Sequence, residues 1–124
     1  MDLSKQVISL EQAKRLEELG VAQDTSYFAF QGDTEYEPDL KSDDGKNYAA
    51  FTASEIWEMI PTLSLVSYKS KAGDDKYLYW IFSTDLLYSG PFFHSEAEAR
   101  AALLIHLLST HLLTADEANK RLGQ

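Results

Sequence analysis

Apolar residues recur along the chain with two periods. Leu10, Ala13, Leu16 and Leu19 fall three residues apart and predict a first helix over residues 10–19, stopped by Gly20. Ala53, Ile56, Trp57 and Ile60 follow i, i+3, i+4, i+7 and predict a second helix, which must end by Pro61 because the residue before proline avoids helical geometry. In "EAEARAALLIHLLS", Ala97, Ala101, Leu104, Ile105 and Leu108 make one stripe. The other side of that helix carries Ala99, Ala102, Leu103 and His106 and is scarcely polar, which predicts burial on more than one side. A short fourth helix follows Thr114 and closes at Gly123. Each helix opens on Ser/Thr-x-x-Glu/Gln, at residues 9–12, 52–55, 95–98 and 114–117, the pattern of a capping box.

Between the helices the pattern turns aromatic and β-branched. "SYFAF" (26–30) and "NYAAF" (47–51) predict a strand pair. "LSLVSYKS" (63–70) and "KYLYWIFS" (76–83) flank "KAGDD", a hairpin signal. "LLYSG" and "FFH" supply a last strand interrupted by Pro91. In residues 76–83, Leu78, Trp80 and Phe82 share one face, and Tyr77, Tyr79 and Ile81 the other. The expected architecture is one α+β domain over residues 1–124. It holds an antiparallel sheet of about four to five strands with helices packed mainly on one face, in the order α-β-β-α-β-β-β-α-α.

Charge changes this picture at one place. The net charge is −9, and residues 32–45 alone hold six acids and one lysine, more than half of it. Phosphate backbones select basic surfaces, so direct nucleic-acid binding is not expected. The densest bases, Lys69, Lys71 and Lys76, are followed by or flank Asp74 and Asp75 and make a poor groove for nucleic acid. The chain has no cysteine, which excludes a disulfide framework, a thiolate metal site and a cysteine nucleophile. No apolar run approaches a membrane span, and the first twenty residues lack a signal-peptide pattern, so a cytoplasmic protein is expected.

Candidate chemistry is sparse. "DLKSDDGKNY" fails as an EF-hand: with Gly45 at position 6, Leu40 stands at position 1 and Phe51 at position 12. His106 and His111 lie five apart, which does not stack two imidazoles on one helix face, and His94 stands alone before a helix cap. There is no G-x-S-x-G and no phosphate loop. No catalytic, cofactor or metal residue is therefore assigned, and none of these groups is expected.

The stretches "VISLEQAKRLEELGVAQDTSYFAF", "AAFTASEIWEMIP" and "SEAEARAALLIHLL" together resemble a group of small acidic proteins of uncharacterised function from Bacteroides-type bacteria and their phage-like elements. The likeness lies in helix caps and core positions and covers most of the chain. It implies a shared fold and a mobile-element context and carries over no catalytic residue. The acidic residues 32–45 stand outside the shared pattern.

The functional expectation is a non-enzymatic accessory or protein-interaction domain. Self-association would cover the second side of the third helix or the tyrosine side of residues 76–83, with Tyr77 and Tyr79 as contacts. One alternative is an acidic decoy that binds a basic protein surface through Asp33, Glu35, Glu37, Asp39, Asp43 and Asp44. The other is a small enzyme or ligand binder with a cleft between sheet and helices.

Overall fold

The structure, a computed structural model, describes residues 6–24, 26–32, 40–61, 66–71, 77–83 and 88–123; within the last two strand pairs it describes the side chains of Tyr79, Ile81 and Ser89. The elements are α1 (Leu10–Glu18), β1 (Ala29–Phe30), β2 (Tyr48–Ala49), α2 (Ala53–Met59), β3 (Val66–Lys71), β4 (Tyr77–Ser83), β5 (Tyr88–Ser89), α3 (Glu96–Ser109) and α4 (Ala115–Gly123).

The helix starts follow local side-chain chemistry. Ser9 and Gln12 make a complete reciprocal box at α1, and Thr52 and Glu55 make another at α2. At α3, Ser95 Oγ accepts the Glu98 amide at 3.1 Å, and before α4, Thr114 Oγ accepts the Glu117 amide at 3.2 Å. The α2 helix stops at Met59 because Ile60, ahead of Pro61, is extended (φ −93°, ψ 131°).

Two helix ends use the same C-terminal motif with different residues. After α1, Gly20 at φ +96° lets its own amide reach Glu17 O and the Val21 amide reach Leu16 O, both at 3.0 Å. After α3, the Leu112 amide reaches Leu107 O at 2.9 Å and the His111 amide reaches Leu108 O at 3.3 Å. Here the left-handed position is filled by His111, at φ +61°. A side chain in that region costs roughly 1–2 kcal/mol, while glycine gives back part of the gain through unfolded-state entropy. His111→Gly is expected to raise stability by about 0.5–1 kcal/mol, read as a higher denaturant midpoint; an unchanged or lower midpoint would show that the imidazole makes compensating contacts.

The elements follow the expected order α-β-β-α-β-β-β-α-α, but the expected single antiparallel sheet of four to five strands with helices mainly on one face does not form. Among the described residues the strands divide into two separate antiparallel sheets, β1-β2 and β3-β4-β5. β1 pairs Ala29 with Ala49 and Phe30 with Tyr48. The far edge of β2 is already occupied: the Ala49 amide donates to Gln23 Oε1 at 2.8 Å, and Phe51 O accepts the Ile8 amide at 3.0 Å. With those groups satisfied, the edge cannot take a strand of the second sheet. Thr52 then turns the chain straight into α2.

In the second sheet β3 and β4 pair from Val66–Phe82 to Lys71–Tyr77, and Ser89 pairs with Phe82. The chain past Pro91 returns to β4 at Tyr79–Phe93, whose amides and carbonyls exchange bonds of 2.7 and 2.8 Å. The register from 82–89 to 79–93 gains one residue on the Pro91 side, so the proline sits in a bulge, where its missing N–H removes no ladder bond.

The helices pack on one another as much as on strands. α3 touches α1, α2 and β4, and α4 rests on α2. This explains the apolar content of α3: Ala97, Ala101, Leu104 and Leu108 are buried, and so are Ala99, Leu103 and Leu107 on its other sides. The described buried side chains form one cluster, with Phe51, Ile56, Met59 and Ile81 fully enclosed among them.

Two polar side chains, Arg100 and Gln12, fasten α2 and α1 to α3. The Arg100 guanidinium lies 4.4 Å from the Trp57 ring centroid, donates to Ala53 O at 3.0 Å and pairs with Glu96 at 2.7 Å. Gln12, while closing its own capping box, donates from Nε2 to Glu98 O at 2.9 Å.

Candidate functional site

The acidic connection between β1 and β2 is where charge and unusual geometry coincide. Its base is closed by backbone. The Gln31 amide donates to Leu40 O at 3.3 Å and the Ser42 amide to Gln31 O at 3.1 Å, a parallel bridge of Gln31 with Lys41. Leu40 is buried in the main cluster. Gly32 lies directly on the Gly45–Lys46 peptide: a Cβ there would come within 2.1 Å of Gly45 C and 2.5 Å of Lys46 N. Glycine is thus required by close approach, and its amide is held by Asn47 Oδ1 at 3.0 Å.

Asp44 organises the returning strand of this connection. Its Oδ1 accepts the Ser42 hydroxyl at 2.7 Å and the Lys46 amide at 3.0 Å, and its Oδ2 accepts the Tyr48 hydroxyl at 2.5 Å. Lys14, on α1, forms an ion pair with Asp43, approaches Asp44 Oδ2 at 3.6 Å, and stands 5.9 Å from the centroid of the Tyr48 ring. Lys14 therefore ties the acidic segment to the first helix.

These contacts move the ionisable groups apart. The Ser42 hydroxyl, then the Tyr48 hydroxyl and the Lys46 amide, hold the Asp44 carboxyl well below the usual carboxylate range. The hydrogen bond to Asp44, with burial second, pushes the Tyr48 phenol up to about 12. The Asp43 hydrogen bond raises Lys14. All three groups are thereby fixed in their neutral-pH states, whereas a general acid or base works best with a pKa near the operating pH. This cluster is a clasp and is not built for proton transfer.

The clasp makes a titration prediction. The Tyr48 pKa in the fold lies above its ordinary value of 10. The contribution of its bond to stability is therefore fully present below pH 10 and is lost as pH rises through about 12. Asp44→Asn is expected to bring the Tyr48 transition back toward 10, read as phenolate absorbance after subtraction of the Tyr48→Phe titration. A Tyr48 transition that does not move on removing the charge would show that Asp44 is not its partner.

The other residues singled out from sequence are scattered. Asp33, Glu35, Glu37 and Asp39 lie outside the described residues. Asp43 and Asp44 are both engaged with Lys14. Tyr77 pairs through its backbone with Lys71, and its side chain lies outside the description. Tyr79 is half-buried against the core, and Ile81 on the same strand face is buried, so that face is turned inward. The far side of α3 is likewise covered, with Ala99 and Leu103 buried and Ala102 and His106 half-buried. His94 and His111 are exposed. Among the described residues no three His, Asp or Glu side chains converge as metal ligands. Glu98 is raised by burial, against a lowering influence of His94.

Lys14, Tyr48 and Gly32 were not singled out by the sequence reading. Lys14 sits in a helix among other charged residues, Tyr48 reads as a strand aromatic, and a glycine between strands reads as an ordinary turn. Lys14 and Gly32 act on segments distant in the chain, so nothing local marks them, and the bond from the Tyr48 hydroxyl to Asp44, four residues away, follows no periodic pattern.

No family model matches the chain, and no curated protein or solved structure matches it either. Among the described residues no helix is long and apolar enough to cross a membrane.

Proposed function

We propose that the protein is a non-enzymatic interaction domain that meets a basic protein surface with the acidic connection between β1 and β2. The observation that supports this reading is the closed base of that connection. Gln31 pairs with Lys41, Gly32 is lodged on the Gly45–Lys46 peptide, and Lys14 clasps Asp43 and Asp44. Residues 33–39, which follow Gly32 and precede Leu40 in the sequence, contain Asp33, Glu35, Glu37 and Asp39 and no basic residue. Asp43 and Asp44 belong to the anchor, so the four acids left for a partner are Asp33, Glu35, Glu37 and Asp39. Dense negative charge steers encounter with a basic surface, and a fixed base lowers the ordering cost of docking.

The test compares the native protein with a variant carrying Asp33→Asn, Glu35→Gln, Glu37→Gln and Asp39→Asn, each immobilised and exposed to the same cell extract. A basic protein retained by the native chain, released as ionic strength rises and not retained by the variant is the expected result. Equal retention by both, with circular dichroism showing both folded, overturns the proposal.

A further inference from the structure

We draw no further inference here: the strongest candidate, the outer edge of β3 with Lys69 and Lys71 in register with Tyr79 and Tyr77 of β4, carries nothing because the segments flanking it lie outside the described residues and nothing in the structure shows what covers it.

Discussion

Phe51→Ala is expected to cost about 3–5 kcal/mol, the largest loss from any single truncation considered for this chain. Phe51 is among the largest fully enclosed side chains, with no exposed surface. It sits where three segments meet. Its carbonyl holds the Ile8 amide, the preceding residue's amide is bonded to Phe28 O at 2.9 Å, and the following residue caps α2. The backbone is thus pinned on both sides and cannot move inward to fill the space left by a phenyl ring. Lost transfer energy and an unfilled cavity therefore add together. A domain of this size has a total stability of roughly 5–15 kcal/mol, so the variant would sit near the margin of folding. Urea denaturation should show a much lower midpoint with an unchanged slope. Tyr27→Ala is the control, because Tyr27 is 86% exposed and its truncation should change stability by no more than about 0.5 kcal/mol. Similar losses for the two variants would mean that Phe51 is not enclosed in solution.

What the sequence made legible is what short-range chemistry decides. The helix starts at Ser9, Thr52, Ser95 and Thr114 depend on a hydroxyl and an amide three residues apart, and the stop at Ile60 depends on the next residue being proline. The burial of α3 on several sides followed from its lack of a polar face. The sheet arrangement was not legible, because it turns on what fills the far edge of β2. A glutamine 26 residues earlier and a backbone amide near the N-terminus fill it, and neither carries a periodic signal. The acidic connection was legible as charge, but its anchoring was not: Lys14 and Asp43 are 29 positions apart. The left-handed turn at His111 was not legible either, since a residue other than glycine there runs against the preference that placed the stop at Gly20.

Glu55 joins the local and the long-range halves of the fold, and Glu55→Ala is expected to destabilise by about 2–4 kcal/mol. Glu55 is 4% exposed and both carboxylate oxygens are used. Oε1 accepts the Thr52 amide at 2.9 Å, completing the cap of α2, and Oε2 accepts the Tyr27 amide at 3.1 Å, holding the segment that leads into β1. Hydrogen bonds to a charged acceptor contribute roughly 1.5–3 kcal/mol, and a negative group beside a helix N-terminus adds about 0.3–1 kcal/mol. Truncation leaves two amides without acceptors, and water entering the site recovers part of the loss, which sets the range given. Glu55→Gln keeps one carbonyl oxygen and can satisfy only one of the two donors, so about half the loss is expected. Amide hydrogen exchange separates the two bonds. In Glu55→Ala, protection should fall at both Thr52 and Tyr27. A fall confined to Thr52 would reduce Glu55 to a helix cap and leave the approach to β1 held by other contacts, among them the Ser26 hydroxyl on Phe28 O at 2.7 Å.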